Sequence, residues 1–351
     1  MKYSSILITG GAGFVGSTLA TYLKSKYPAN IICLDNLKRR GSELNLARLQ
    51  EKGIQFIHGD IRCSEDLLDI SFDLMIECSA EPSVLAGVAN SPQYLLNTNL
   101  VGTLNCLESV RKNKADLIFL STSRVYPIES INNQNYTEMK TRFTPFSSSV
   151  GFSENGISED FPLTGARSLY GVTKLCSELI IQEYIETYGI SAVINRCGLL
   201  SGPYQMGKVD QGVIVLWVFN HLLGKHLSYT GYCGKQVRDV LHIDDLCALI
   251  EIQIQDISLY NKQIFNVGGG ISNSVSLLEL TEICKQITGC EIEIPCADGR
   301  PNDLIWYVTD NTRITEVSGW KPIKTVYDTV SDITEWIQTH EHDLLRILGG
   351  S

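Results

Sequence analysis

The stretch Thr9-Gly10-Gly11-Ala12-Gly13-Phe14-Val15-Gly16 decides how the chain folds. It follows an apolar run, Ser5–Thr9, and opens a helical pattern, Gly13–Lys26. Its glycines satisfy G-x-x-G-x-x-G at Gly10, Gly13 and Gly16, and G-x-G-x-x-G at Gly11, Gly13 and Gly16. A turn without Cβ atoms lets a pyrophosphate reach backbone amides and the positive end of a helix dipole. A purely structural turn uses glycines too. The strand before, the helix after and the place at the head of the chain point instead to a dinucleotide site, with Phe14 and Val15 at its helical end.

Outward from that turn, β-branched runs alternate with helix-like stretches. The runs are Ser5–Thr9, Ile31–Leu34, Ile54–Ile57, Leu74–Glu77, Leu117–Leu120 and Ala192–Asn195; the helical segments include Val101–Lys112 and Leu169–Thr187. This rhythm implies an α/β chain with a Rossmann-type doubly wound parallel sheet and right-handed crossovers. After Gly198 it breaks into loops, an apolar helix near 212–224 and a helix near Leu277–Thr288, which predict a smaller, interleaved C-terminal substrate domain. Val240–Ile254 and Ile264–Val267 are expected to return to the sheet. The expected division is therefore 1–197 plus about 235–268 for the dinucleotide domain, and about 198–234 plus 269–345 for the other. Residues 128–165, rich in Asn, Ser, Thr and Gly, read as a lid or a disordered excursion.

An acid at the end of the second strand is the next requirement. Asp35 closes Ile31-Ile32-Cys33-Leu34, where a carboxylate takes two ribose hydroxyls and repels a 2′-phosphate, favouring NAD over NADP. Arg39 and Arg40 nearby pull the other way, since arginine accommodates that phosphate. Asp60-Ile61, after the third strand, is placed to flank adenine or to serve as an ordinary loop.

Hydride transfer needs a base able to return its proton. A tyrosine four residues before a lysine supplies one, because both share a helix face. Tyrosine ionises near pKa 10, so bringing it to neutrality takes about 4 kcal/mol of charge interaction, within reach of a desolvated ammonium. The pattern occurs at Tyr22/Lys26, Tyr136/Lys140, Tyr170/Lys174 and Tyr204/Lys208. Only Tyr170/Lys174 opens a long helix that follows a sheet strand; the others read as surface or packing residues. The hydroxyl partner is expected in Ser121-Thr122-Ser123, after Leu117–Leu120, where open sheets place ligands. An ST-turn closing the strand is the competing reading.

Composition narrows the remaining classes. The 351 residues suffice for two lobes. A net charge of −10 disfavours nucleic acid and acidic lipid. The opening MKYSSILITGG runs straight into a strand without a signal peptide's apolar segment, and Gly212–Gly224 is too short to span a bilayer. Eleven scattered cysteines without C-x-x-C read as buried, reduced thiols of a cytoplasmic protein, and six histidines form no metal-ligand spacing with them, so no metal is expected.

Together these residues resemble the extended short-chain dehydrogenase/reductase superfamily from roughly Ile6 to Trp336. The stretches that carry the likeness are TGGAGFVG, GDIR (59–62), AEPS (80–83), NTNLVGT (97–103), STSRVY, SLYGVTK, GKQVRDVLHIDD (234–245) and GRPND (299–303). Within it, Asn195–Gly198, Gly202–Gly212 and Lys235–Asp239 resemble the CDP-paratose 2-epimerase (CDP-tyvelose epimerase) family. The resemblance implies an NAD-dependent isomerase that epimerises a nucleotide-diphosphate sugar, and a homodimer. It carries the catalytic roles to Thr122, Tyr170 and Lys174. Cofactor contacts carry over to the glycine turn, Asp35-Asn36-Leu37, Arg39, Arg40, Asp60, Ile61, Ser79, Ala80, Glu81, Asn99, Ser121, Tyr170, Lys174 and Cys197. Substrate contacts carry over to Thr122, Ser123, Gln205, Gln211, Arg238 and Arg300; two guanidiniums suit a diphosphate, and surface ion pairing is their plainer reading. Dehydratases of the superfamily place Asp-Glu after the threonine, whereas Ser123-Arg124 stands here, which disfavours dehydration. Glu81 stands where the family more often has glutamine. A UDP-sugar 4-epimerase, a net oxidoreductase and a non-catalytic NAD-binding protein remain open as alternatives.

Overall fold

A strand buried on both faces reads as an unbroken apolar run, and β1 (Ser5–Thr9) is one: Ile6, Leu7 and Ile8 are wholly buried. The computed structural model describes residues 2–207, 211–299 and 302–348. Six more strands share the sheet with β1: β2 (Asn30–Asp35), β3 (Gln55–His58), β4 (Leu74–Glu77), β5 (Asp116–Thr122), β6 (Ala192–Cys197) and β7 (Ile264–Val267). The order is β7-β6-β5-β4-β1-β2-β3. β1 pairs in parallel with β2 and β4, β2 with β3, and β4 with β5. The strand order therefore reverses between β1 and β4, and their carboxyl ends frame the crevice where such sheets take ligands. The predicted strands appear with bounds shifted by a residue or two, and Ile264–Val267 joins the sheet as expected.

Two compact units make up the chain. The first comprises Met1–Thr122, Leu169–Arg196 and Cys247–Phe265. In it, α1 (Phe14–Lys26) buries Leu19, Ala20 and Leu23. On one face of the sheet, α2 (Gly102–Asn113) and α3 (Leu169–Tyr188) set Leu107, Val110, Ile181 and Ile185 against Leu7, Met75, Leu117 and Phe119. A single π-helical turn, Asn97–Val101, leads into α2; such turns widen the backbone and frequently lie at functional positions.

The second unit comprises Ser123–Ser168, Cys197–Leu246 and Asn266–Ser351. Helices Val213–Leu223, Leu277–Thr288 and Val326–Thr339 enclose a core that includes Trp217, Phe219, Leu280, Val330 and Trp336. The last two helices open on capping boxes, Ser276 with Glu279 and Thr325 with Asp328, which satisfy amides at the helix start. No helix among the described residues is long and apolar enough to cross a membrane.

Three expectations need correction. The start of the segment Val240–Ile254 does not return to the seven-stranded sheet, whereas its part from Cys247 onward does belong to the first unit. Its strand, Val237–His242, pairs with Leu199–Ser201, Ser274–Ser276 and Trp306–Tyr307 in a separate sheet. There the fully buried Asp239 accepts from the Gly270 amide at 3.1 Å, a need that a purely apolar strand would not have. Residues 128–165 are not a disordered excursion. They form a short helix, Ile128–Asn132, and two hairpins, Tyr136–Glu138 with Phe143–Pro145 and Phe152–Ser153 with Gly156–Ile157. Phe152, in edge contact with Trp306 and Tyr136, anchors them. Finally, the cysteines are not all thiols: Cys233 and Cys296 form a disulfide, because pairing of Tyr229–Thr230 with Cys296–Ala297 brings their Cα atoms to 5.0 Å. They lie 63 residues apart, so sequence spacing gave no sign of it.

Phe152→Ala should lower the stability of the second unit by about 3–5 kcal/mol, the usual loss for emptying a buried aromatic site. Urea unfolding followed by the fluorescence of the neighbouring Trp306 measures it; an unchanged midpoint contradicts the anchoring role.

Candidate functional site

Three glycines of the turn are required, each for its own reason. Gly10 adopts φ +66, and a Cβ on it would stand 2.9 Å from the backbone of Cys78 and Ser79 at the end of β4. A Cβ on Gly11 would be 2.5 Å from that of Cys33 on β2, and one on Gly16 would be 2.2 Å from the Gly10 carbonyl oxygen. The Gly13 amide donates to the same carbonyl at 3.0 Å. Gly13 also caps α1 with no side-chain partner, and no acidic residue occupies the first turn. A helix start without its own carboxylate, reached through a turn stripped of side chains, fits a dinucleotide pyrophosphate.

At the end of β2, Asp35 accepts from the Ala12 amide at 3.1 Å and the Leu37 amide at 2.8 Å. Leu37 takes a left-handed conformation, φ 53, to make that turn. Burial pushes the Asp35 carboxyl above the ordinary aspartate range, and the amides pull it part of the way back. Asn36 donates to Asp60 at 2.9 Å. Burial works against ionising Asp60, but Arg62, 2.6 Å away, and Asn36 outweigh it and bring it down to about 2. Ile61 points into the core, against Gly102. Arg39 is half-buried and Arg40 exposed.

Asn99, in the π-helical turn, organises the edge beside β4. Its Oδ1 accepts from the Glu81 amide at 2.7 Å, and its Nδ2 donates to the Glu81 carbonyl at 3.0 Å. This two-point clasp fixes the chain that follows Ser79 and Ala80. The same Nδ2 reaches the Thr173 hydroxyl of α3 at 3.2 Å, and Ser177 donates to the Asn99 carbonyl at 3.0 Å.

Tyr170 lies half-buried in the first turn of α3, and Thr122, the last residue of β5, is buried. Lys174 is only 2% exposed; its Nζ donates to the Leu120 carbonyl at 2.9 Å and stands 4.3 Å above the centre of the Phe119 ring. One turn further, Glu178 is completely buried. It accepts from the Ser121 hydroxyl at 2.5 Å and forms a forked pair with Arg196 of β6, closing to 2.7 Å. The Ser121 hydroxyl thus serves the packing of α3 on β5, while Thr122 follows it at the strand end.

Sequence reasoning missed Glu178 and Arg196. The available signal was a carboxylate four residues after Lys174 within the apolar Leu175–Ile181. The other Tyr–Lys pairs do structural work. Tyr22 and Lys26 both bind Glu251 at 2.6 Å. The Tyr136 hydroxyl donates to the Ile131 carbonyl at 2.7 Å, and Tyr204 packs on Trp336. Lys208 lies outside the described residues.

Within the second unit, the Arg238 guanidinium donates to Asp303 at 3.0 Å, the Leu304 carbonyl at 2.8 Å and the Val237 carbonyl at 2.7 Å. Gln205 is buried, bound to the Ser201 hydroxyl and the Leu200 carbonyl at 3.0 Å each. Ser123 and Gln211 are half-buried and Cys197 is buried. Arg300 lies outside the described residues.

Comparison with known proteins identifies the family and the fold. Residues 6–268 match the NAD dependent epimerase/dehydratase family. The chain is 31% identical over 347 residues to the CDP-paratose 2-epimerase of Salmonella typhi, covering 94% of this chain and 98% of that one. The structure of dTDP-glucose 4,6-dehydratase from Bacillus anthracis in complex with NAD aligns with a TM-score of 0.74 at 26% identity, over 96% of this chain and 97% of that one. In fold, the UDP-glucose 4-epimerase of Thermotoga maritima aligns with a TM-score of 0.80 at 24% identity, over 96% and 99% of the two chains.

Replacing Glu178 by Gln leaves Arg196 buried without its counter-charge. The expected loss is about 3–5 kcal/mol of folding stability, measured by chemical unfolding; a loss below about 1 kcal/mol, the range of exposed pairs, contradicts the role assigned to the pair.

Proposed function

The chain belongs to the NAD-dependent epimerase/dehydratase family, and we propose that within it this protein is a nucleotide-sugar epimerase that inverts C2 of a CDP-hexose, of the CDP-paratose or CDP-tyvelose type, by transient oxidation to a keto sugar. The observation that carries the reading is the residue pair after Thr122: Ser123 and Arg124 offer no acid to eliminate water. The likeness to a CDP-paratose 2-epimerase supports the base and the carbon. Tyr170 acts as a phenolate and takes the proton from the sugar hydroxyl. Lys174 holds that phenolate ionised, and Thr122 orients the reacting oxygen by hydrogen bonding. When bound on the glycine turn and Asp35, NAD supplies a hydride acceptor that returns the hydride. Once the keto sugar has turned its other face, Tyr170 gives the proton back to the same oxygen. Arg238 and Arg300 are assigned to the diphosphate, so that the sugar alone turns. Cys197, Gln205 and Gln211 remain part of the proposed binding set.

The same reading includes a cytoplasmic homodimer. Exposed apolar side chains at Val172 and Leu179 on α3, and at Val101 in the turn that leads into α2, support pairing of these helices between copies. Light scattering at the expected dimer mass tests it, and a monomer at working concentration overturns it.

Incubation with CDP-glucose, CDP-paratose and UDP-glucose, followed by NMR of the sugar, tests the reaction. Inversion at C2 of a CDP-sugar is expected. Inversion at C4 of UDP-glucose, or stoichiometric consumption of added NAD, overturns it. Tyr170→Phe should lower kcat by roughly 10²–10⁴ while leaving KM nearly unchanged.

Acidity should weaken cofactor binding through Asp35. Its carboxyl is held above the ordinary aspartate range, so as the pH falls it takes up a proton sooner than an exposed aspartate and stops accepting from ribose hydroxyls. NAD affinity measured against pH should fall in that window, and Asp35→Asn should flatten the dependence. An affinity that the substitution leaves equally pH-dependent contradicts the assignment.

A further inference from the structure

β4 ends on a charge where its pattern calls for an apolar side chain. Leu74, Met75, Ile76 and Glu77 are all fully buried. Strand register places Glu77 opposite Phe119 of β5 and Thr9 of β1, so the three side chains share the sheet face that α2 and α3 cover. Phe119 is the ring above which the Lys174 ammonium stands, at 4.3 Å. A buried carboxylate and a buried ammonium thus enter one layer between the sheet and its two helices. Each alone costs several kcal/mol to desolvate; together they offset one another.

The hydrogen bonds around Glu77 are incomplete in an informative way. Its Oε1 lies 2.6 Å from the Thr103 hydroxyl, while its Oε2 has no hydrogen-bond partner among the described residues. Thr103 also lies 2.9 Å from the Asn99 carbonyl. A hydroxyl has one proton to donate. If Glu77 is ionised, Thr103 donates to it; if Glu77 is protonated, it donates to Thr103, which turns to Asn99. Burial favours the neutral acid, and the Lys174 ammonium and Thr103 favour the carboxylate. A second titratable group near Glu77, Cys106 of α2, stays a neutral thiol because burial pushes it well up, and Glu178 of α3, one turn beyond Lys174, is taken up by Arg196 and Ser121. Lys174 is the cation that acts on Glu77 among the described residues.

We propose that Glu77 is the buried counter-charge of Lys174, a positioning residue that keeps the ammonium charged and seated above Phe119. The inference rests on the reading of Lys174 as the partner of Tyr170. Glu77 touches neither sugar nor cofactor; it acts through the lysine. Without it, Lys174 would sit where burial favours the neutral amine, and its hold on the Tyr170 phenolate would be lost as the pH rises past a lowered lysine midpoint.

Carbon-13 NMR of the intact chain as purified, labelled at lysine Cε and glutamate Cδ, tests this without any substrate. The midpoint of Lys174 should fall by about one pH unit or more in Glu77→Gln. By reciprocity, the midpoint of Glu77 should rise by about as much in Lys174→Met. Since Glu77→Gln removes a buried group and endangers folding, the Lys174→Met measurement stands as the independent arm. Midpoints unchanged from wild type in the folded variant overturn the proposal. A merely structural Glu77 would lower stability and leave both titrations in place. Turnover of Tyr170→Phe, measured separately, tests the catalytic reading: full activity there would overturn the role of the tyrosine and leave the charge coupling standing.

Discussion

Glu178 has no access to water, and there Arg196 and Ser121 meet its two oxygens. The three residues come from α3, β6 and β5, so the same contacts that satisfy the carboxylate fix the helix on the sheet. Tyr170 and Lys174 lie two turns and one turn before Glu178 on that helix face. Thr122 follows Ser121 directly at the end of β5. A displacement of α3 would strand a buried charge, which is far more costly than losing an exposed ion pair. A buried ion pair thus helps to hold the segments that carry Tyr170, Lys174 and Thr122, the kind of constraint that the roles proposed for them require.

The cofactor side relies on absence rather than charge. At Gly10, Gly11 and Gly16 any Cβ would strike backbone or the next strand at 2.9 Å or less. The close approach of β1, α1 and β2 leaves the helix start bare for an anion. Asn99 then ties the edge of β4 to α3 through Glu81 and Thr173. The π-helical turn that carries Asn99 is the local irregularity that makes both contacts available from one side chain.

Much of this was legible in the sequence because it is local. Apolar runs, glycine spacing and the Tyr170–Lys174 interval each depend on residues near one another in the chain, and the structure places them in strand, turn and helix as expected. What escaped depends on distant partners. Glu178 lies inside the helical run Leu169–Thr187, its partner Arg196 being distant in the chain, and Glu77 closes the run Leu74–Glu77 beside a Phe119 that only strand pairing brings near. The polar segment 128–165 looked shapeless because its order comes from Phe152 resting on Trp306. Val237–His242 carries the strand pattern, but pattern alone does not choose between two sheets. Cys233 and Cys296 are joined through the pairing of strands that neither neighbourhood announces.

The central claim is that one sugar carbon loses its hydrogen and regains that same hydrogen on the opposite face. CDP-paratose carrying deuterium at C2, turned over by the enzyme in ordinary water, tests it most directly. Deuterium held at C2 of the inverted product is the predicted result. Product bearing hydrogen from water at that carbon would show that a proton, not a hydride, is exchanged there, and would contradict the account.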